Sequence, residues 1–172
     1  MPTIGVALAI PEPWASELQD YRTSVGDAMA ATIPTHITLV PPTEVTDMEL
    51  GQIEEHLAVA ATEVPAFEVH LRGTGTFRPV SPVVFVTVVE GISQCEQLAA
   101  AVRRGPLDVD LAFPYHPHVT IAHGIAESRL DQAFAELADF ECEFAVDDFQ
   151  LYVHDHDLGW TPTRYFPLRP GT

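Results

Sequence analysis

Lysine is absent from this chain of 172 residues, and its 8 basic residues are all arginine. Against them stand 25 acidic residues, which gives a formal net charge of −17 at pH 7. Such a surface repels long polyanions and lacks the basic stripe that a broad nucleic-acid groove needs. A small phosphate ligand in a local pocket is still compatible with this composition. An acid-rich, lysine-poor proteome would produce the same balance without any functional cause.

Cysteine is scarce and the hydrophobic runs are short. The 2 cysteines, Cys95 and Cys142, exclude a disulfide framework and form no zinc site by themselves, so we expect buried free thiols. The longest apolar runs, 4–10 and 83–89, are too short to span a bilayer. The N-terminus lacks the positive region of a signal peptide. We therefore expect a cytoplasmic protein with no membrane association.

Strand-like and helix-like segments follow one another in an order that occurs twice. Each half of the chain reads as strand, helix, strand, helix, strand. The pattern predicts one domain, residues 1–172, built as two lobes related by a pseudo-twofold axis, with approximate halves 1–79 and 83–172. The predicted strands are 3–10, 36–40, 67–71, 83–89, 118–122, 144–146 with an extension over 149–153, and 160–168. The predicted helices lie at 14–25, 50–64, 92–102 and 130–137.

Local signals refine these elements. Thr46 or Asp47 is expected to cap the second helix, and Ser93 the third. The glycines in RGTGTFRP, residues 72–79, predict a bulge or turn, and Pro162 restricts the last strand to a sheet edge.

A four-residue pattern of histidine, apolar residue, threonine and apolar residue occurs once in each half. The two copies are HITL, residues 36–39, and HVTI, residues 118–121, each on the second predicted strand. Side chains alternate along a strand, so His36 and Thr38 share one face, and His118 and Thr120 do likewise. The apolar residues face the opposite way, toward a core. If the lobes are related by a twofold axis, the two polar faces meet across a cleft.

Two histidines on opposite sides of a cleft suit the cleavage of a phosphodiester. In-line displacement needs one group to take a proton from the attacking oxygen and another to protonate the leaving oxygen. Histidine performs either role near neutral pH. Threonine hydroxyls can donate hydrogen bonds to the phosphate oxygens as charge develops. One His-x-Thr strand is commonly structural, but packing alone explains two copies in matching places poorly.

The paired motif resembles the 2H phosphoesterase superfamily, the group of LigT-like or 2′-5′ RNA ligase proteins. The flanks match as well, with a Pro41-Pro42 turn after the first motif, and Tyr115 and Pro117 before the second. The resemblance covers nearly the whole chain. It implies a bilobal α+β fold in which each lobe has a mainly antiparallel sheet and two helices around a central cleft. It also implies hydrolysis of 2′,3′-cyclic nucleotides, related small cyclic phosphates or 2′-5′ linkages without a metal or other cofactor.

The resemblance further implies roles for individual residues. His118 would activate water and His36 would protonate the leaving ribose oxygen, with the reverse assignment still open. Thr38 and Thr120 would bind the phosphate. Phe77 or Tyr115 could stack on a base, and a position in the core is the alternative for each.

One departure concerns the residue that follows the second motif. Some LigT-like proteins carry a basic residue there, whereas this chain has His123, which strand alternation turns away from His118. The expected partner is therefore a small nucleotide or cyclic phosphate, with RNA ends as a second candidate, and a monomer is expected.

Three further hypotheses remain at this stage. They are a nucleotide-binding module without turnover, a 2′-5′ RNA ligase, and a metal-dependent enzyme that uses His116, His118 and His123. The sequence YVHDHD, residues 152–157, is another conceivable metal site, although its spacing fits no closed zinc site.

Overall fold

The computed structural model of the chain describes residues 1–111 and 114–171, and two antiparallel sheets dominate this part. The strands are β1 (Thr3–Ala9), β2 (His36–Glu44), β3 (Phe67–Thr76), β4 (Val83–Glu90), β5 (His118–His123), β6 (Glu141–Val146), β7 (Asp148–Asp155) and β8 (Gly159–Pro167). The helices are α1 (Trp14–Ser24), α2 (Asp47–Ala61), α3 (Ile92–Val102) and α4 (Glu127–Glu136). Short 3₁₀ turns occur at Ala28–Ala31 and Gly105–Leu107. The predicted α+β class is confirmed.

The first sheet has the strand order β2-β1-β7-β8 and the second has the order β5-β4-β3-β6. These sheets do not coincide with the two halves of the sequence. Strand β3 belongs to the second sheet, while β7 and β8 return to the first. The predicted boundary at residues 79–83 therefore falls in the β3–β4 connection, inside one sheet. This connection joins antiparallel neighbours, whereas the chain changes sheet between β2 and β3 and between β6 and β7.

The helix starts follow different rules. Thr46 accepts a hydrogen bond from the Glu49 backbone N–H, and the Glu49 side chain accepts one from the Thr46 N–H, so this predicted cap is confirmed as a capping box. The predicted cap at Ser93 is wrong, because α3 begins after Gly91. Gly91 has a φ of +96°, and a Cβ there would lie 2.8 Å from the Glu68 carbonyl oxygen. Only glycine fits that position without strain.

Pro41, Pro42 and Pro162 lie in edge strands, which have a neighbouring strand on one side only. Pro162 is in β8, an edge strand, as predicted. Pro41 and Pro42 form no turn, contrary to the prediction, and instead continue β2, which is also an edge strand. The register with β1 shifts at this point, so the two prolines sit in a bulge. An edge bulge tolerates proline because no ladder hydrogen bond is required there.

One continuous cluster of buried apolar side chains includes residues of both sheets and all four helices. Cys95 and Cys142 are buried and free, as expected. Burial raises the pKa of the Cys95 thiol to about 12 and that of Cys142 to about 11, so both stay protonated. None of the helices in the described parts of the chain has the length and apolar character needed to cross a membrane.

Candidate active site

Both motif strands, β2 and β5, are edge strands, and they contact each other where the two sheets meet. The apolar motif residues are buried, as alternation predicts. They are Ile37, Leu39, Val119 and Ile121. The histidines and threonines face the other way and line one cavity of about 330 Å³ between the sheets. The sequence prediction that the two His-Thr faces meet across a cleft is therefore confirmed.

The repeat extends to a β-bulge directly after each motif threonine. On β2, Thr38 pairs with Ala7 and Val40 with Val6, which leaves Leu39 as the extra residue. On β5, Thr120 pairs with Phe85 and Ala122 with Val84, which leaves one extra residue in the same place. A bulge increases the local twist and changes the direction of later side chains. Both strands thus turn at the same point of the motif.

The second bulge corrects the prediction for His123. Strand alternation would turn this residue away from His118, but the extra residue in β5 shifts the alternation by one. His123 consequently lines the same cavity as His118. Its backbone N–H donates to Asp27 Oδ2 at 3.1 Å, which attaches the end of β5 to the segment that follows α1.

The two motif imidazoles are held in the same way. His36 Nδ1 lies 2.7 Å from the Pro34 carbonyl oxygen, and His118 Nδ1 lies 2.7 Å from the His116 carbonyl oxygen. In both cases the acceptor is two residues earlier in the chain. A carbonyl oxygen only accepts, so each Nδ1 carries a proton and each neutral ring has Nε2 as its free base. The chain thus fixes the same tautomer at both positions.

The motif threonine is within reach of the first imidazole. His36 Nε2 lies 3.1 Å from Thr38 Oγ1, which donates to the neutral ring. The hydroxyl can rotate toward a bound anion, because a Ser or Thr proton follows the best acceptor. Thr120 lines the same cavity from the opposite sheet. The cavity wall therefore presents two hydroxyls and two imidazoles.

The electrostatics of the cavity favour neutral imidazoles when no ligand is bound. Burial is the main cause that lowers the pKa of His36 below its usual 6.5, and the charge of Arg22 lowers it further. The pKa of His118 is lowered mainly by burial, and also by positive charge on His116 and His36. Hydrogen bonds to the Pro34 and His116 carbonyls act in the opposite direction. Two neighbouring imidazoles resist double protonation, which favours states with at most one proton shared between them.

The structure gives Phe77 and Tyr115, the predicted base-stacking residues, different surroundings. The Phe77 ring packs edge-on against His118, with ring centroids 4.9 Å apart. Tyr115 donates its hydroxyl proton to the Thr38 carbonyl oxygen at 2.7 Å, and Arg103 lies over its ring at 5.4 Å. Both side chains thus support a motif residue from outside the cavity lining. Their role in base stacking stays a prediction.

A second aromatic ring, Phe85, also packs against His118. The Phe85 ring lies 5.3 Å from the His118 ring and 4.5 Å from Phe77. Gly75 permits this arrangement, since a Cβ there would come within 2.7 Å of the Phe85 ring. The bulge or turn predicted from the glycines of residues 72–79 is confirmed by register shifts between β3 and β4.

Sequence reasoning missed three residues that line the cavity. Arg22 reaches it from α1, and Tyr152 and Trp160 from the β7–β8 hairpin. Nothing in the helical pattern distinguishes Arg22 from an ordinary surface arginine. Trp160 carries no clear signal either, because an aromatic residue on a predicted strand is commonly a packing residue. Here its backbone N–H donates to the Thr32 carbonyl oxygen at 2.9 Å.

Neither of the conceivable metal sites is formed. Within residues 1–111 and 114–171, no group of three or more His, Cys, Asp and Glu side chains is arranged to hold a metal ion. His116 packs against Phe77 with ring centroids 5.5 Å apart. In the other histidine pair, His154 packs against Trp160 at 5.2 Å. These histidines therefore serve as aromatic packing partners.

Comparison with known proteins agrees with this geometry. Residues 10–158 match the model of the 2′-5′ RNA ligase superfamily. The chain belongs to this superfamily. A relative from Oceanobacillus iheyensis, whose name assigns it to the phosphoesterases, is 29% identical over 144 residues, covering 83% of this chain and 84% of that protein. A relative from Bacillus cereus with the same kind of name is 29% identical over 147 residues, covering 84% and 85%.

Solved structures of similar fold cover nearly the whole of this superfamily member. The crystal structure of E. coli LigT complexed with 3′-AMP has a TM-score of 0.73 at 22% identity, covering 98% of this chain and 99% of that one. Protein TT0787 of Thermus thermophilus has a TM-score of 0.70 at 23% identity, covering 100% of both chains. These likenesses establish the bilobal LigT-like fold.

Proposed function

We propose that this superfamily member is a metal-independent phosphodiesterase that hydrolyses a 2′,3′-cyclic nucleotide, a related small cyclic phosphate or a 2′-5′ linkage. One observation carries the proposal. Two imidazoles have the same Nδ1 anchor on a carbonyl two residues earlier, and both line one cavity from opposite sheets. This arrangement leaves two Nε2 atoms free for proton transfer, and we propose that they act from opposite sides of a bound phosphorus.

In the proposed reaction, His118 Nε2 takes a proton from a water molecule as the water oxygen attacks phosphorus. The bond between phosphorus and the ribose oxygen on the far side breaks, and protonated His36 Nε2 gives its proton to that oxygen. Thr38 and Thr120 donate hydrogen bonds to the non-bridging oxygens. The product is a phosphate monoester, and the pair again holds one proton in total. Each proton transfer contributes about 10² to 10⁴ in rate.

The charges around each ring support one of the two possible assignments of acid and base. Positive charge on His116 and on His36 lowers the pKa of His118, in addition to the main effect of burial. Burial is also the main cause that lowers the pKa of His36, with the charge of Arg22 as a further cause. We propose His36 as the acid and His118 as the base, because two positively charged neighbours act on His118 and one acts on His36.

The cavity and the charge both indicate a small substrate. A volume of about 330 Å³ is at the lower end of small-molecule sites. The net charge of −17 opposes the approach of a long RNA. E. coli LigT, which has the same fold, was crystallised with 3′-AMP and with ATP, and this supports a nucleotide ligand here. Trp160 at the cavity wall is the aromatic surface that we propose for the base, in place of Phe77 or Tyr115.

Phosphorus NMR of 2′,3′-cyclic nucleotides in EDTA tests the proposal. The native protein should produce a 2′- or 3′-monophosphate, and His36→Ala and His118→Ala should each lose nearly all activity. His156→Ala is the matched control, because this exposed histidine lies in the turn between β7 and β8, outside the cavity lining. Turnover that persists in both motif variants, or that requires a divalent ion, would contradict the mechanism.

A further inference from the structure

Arg22 is a buried cation at the wall of the proposed active site. Its residue is only 3% exposed, although it lies in the last turn of α1 and lines the cavity with both motif histidines. Desolvating a guanidinium is costly, so a buried arginine needs compensation. Asp27 supplies the opposite charge, and its own side chain is 1% exposed.

The hydrogen bonds of this pair leave part of the guanidinium unused. Arg22 donates from Nε at 3.0 Å and from Nη2 at 2.8 Å, and both bonds reach the same oxygen, Asp27 Oδ2. Among residues 1–111 and 114–171, no hydrogen-bond partner is found for Nη1. A guanidinium has five N–H donors in a planar fork. The donors that Asp27 does not use belong to a side chain that lines the cavity.

Asp27 is itself held from two directions. Its Oδ1 accepts the Met29 backbone N–H at 3.0 Å, and its Oδ2 also accepts the His123 backbone N–H at 3.1 Å. The first bond belongs to the segment that leads to β2, and the second to the end of β5. Arg22 is therefore positioned by a carboxylate that is hydrogen-bonded both to the segment before β2 and to the end of β5. The guanidinium cannot move away from the cavity without breaking this arrangement.

Burial of the Arg22–Asp27 ion pair has a desolvation cost, so its presence favours a functional explanation. A buried ion pair is often no more stabilising than apolar residues of the same volume. This cavity, in contrast, has a use for a fixed cation, because its histidines are neutral without ligand and its threonines carry no charge. Arginine binds phosphate with shorter and stronger hydrogen bonds than a neutral donor does.

We infer that Arg22 is a substrate-binding residue that donates hydrogen bonds to the non-bridging oxygens of the phosphate, and that Asp27 is its positioning residue. The inference deepens the proposed function and rests on it for the identity of the ligand. The cleft thereby acquires a permanently charged hydrogen-bond donor, whose charge Asp27 offsets while the cleft is empty, in a protein with net charge −17. The two threonines complete the set of donors around the anion.

Titration calorimetry with 3′-AMP and with inorganic phosphate tests this inference without turnover. Arg22→Gln should weaken binding of both probes by about 10- to 100-fold, the usual range for a hydrogen bond to a charged group. Arg22→Lys should recover part of this loss, because it keeps the charge without the fork. Arg104→Gln is the matched control, since it removes the same charge from a side chain that is 63% exposed. It should bind both probes like the native protein.

A second variant separates binding from folding. Arg22→Gln leaves the Asp27 carboxylate buried without its partner, so Arg22→Met with Asp27→Asn removes both charges together. The double variant should fold and show the same loss of phosphate affinity. Native affinity in either folded variant would overturn the inference, as would a native protein that binds neither probe. Loss in the variants without any turnover of cyclic nucleotides by the native protein would reject the proposed reaction and leave the role of Arg22 intact.

Discussion

The hydroxyl of Tyr115 connects the approach to the second motif with the backbone of the first. It donates to the Thr38 carbonyl oxygen at 2.7 Å, across the contact between the two sheets. Burial is the first cause that raises the pKa of Tyr115 well above its usual 10.0, so the phenol remains a donor at every working pH. Tyr115→Phe removes this one hydrogen bond and leaves the ring, with Arg103 over it, in place.

The expected cost in stability is small, and the expected cost in rate is larger. A neutral hydrogen bond of this kind contributes about 0.5–1.5 kcal/mol net. For a domain of this size each kcal/mol shifts Tm by about 2–4 °C. Catalysis depends on the separation of the two motifs, and a misplacement of about 1 Å can cost about 10² in rate. We expect a loss of about tenfold in kcat and a decrease of a few degrees in Tm.

Steady-state kinetics with a 2′,3′-cyclic nucleotide and thermal unfolding check this prediction. Tyr21→Phe is the matched control. In the described parts of the chain, the buried Tyr21 hydroxyl has no hydrogen-bond partner, so its removal should leave both kcat and Tm unchanged or slightly raise Tm.

The same variant discriminates between two roles for Tyr115. A residue that stacks on a base needs only its ring, and phenylalanine would preserve both kcat and nucleotide affinity. A residue that braces the two motifs needs its hydroxyl. Native activity in Tyr115→Phe, together with loss in Tyr115→Leu, would refute the bracing argument and support the original stacking prediction.

Further predictions concern the pH profile and the β7–β8 hairpin. Because the pKa of each motif histidine lies below 6.5 in the free protein, the bell-shaped profile of kcat/KM in EDTA should be centred below pH 6.5, and a centre above it would contradict the burial argument. Gly159→Ala should destabilise the fold by about 2 kcal/mol or more in urea unfolding, because φ is +75° and the new Cβ would lie 2.5 Å from the Thr32 carbonyl oxygen. Gly51→Ala, in a helix with open space around it, should stabilise by about 1 kcal/mol as its control. Trp160→Ala should weaken 3′-AMP binding by about 1–3 kcal/mol and leave inorganic phosphate binding unchanged, and equal losses for both would exclude base stacking.

The motif faces could be predicted because they depend on local geometry alone. Alternation along a strand places His36 with Thr38 and His118 with Thr120, whatever the rest of the chain does. The cap at Thr46 is equally local. These positions needed no knowledge of which strands pair.

Sheet membership depends on long-range pairing and could not be predicted in the same way. Strand β7 pairs with β1 across most of the chain, and β3 pairs with β6 in the other sheet. Periodicity indicates that each segment is a strand but carries no information about its partner. The equal division into sequence halves failed for this reason. The position of Arg22 at the cavity could not be predicted either, because it depends on where α1 packs.

The two bulges are intermediate between features that depend on local sequence and features that depend on long-range strand pairing. Each motif threonine is followed by two adjacent buried apolar residues, Leu39-Val40 and Ile121-Ala122, which strict alternation does not allow. A bulge sets two residues of one strand opposite one residue of its partner, so two neighbouring side chains can both be buried. Applied to the second motif, this rule places His123 on the cavity side, as observed.

The charge of the cleft depends on whether a phosphate is present. Without a ligand, the Arg22 charge is offset by Asp27 and both motif imidazoles favour the neutral form. An anion in the cavity stabilises the charged imidazole and raises its pKa, so binding takes up a proton. In the proposed reaction, that proton is the one that the leaving oxygen requires, so the protein would acquire its acid when the substrate binds. Burial of the histidines opposes protonation in the empty cleft, and the proposed acid catalysis would therefore depend on an anion being in place.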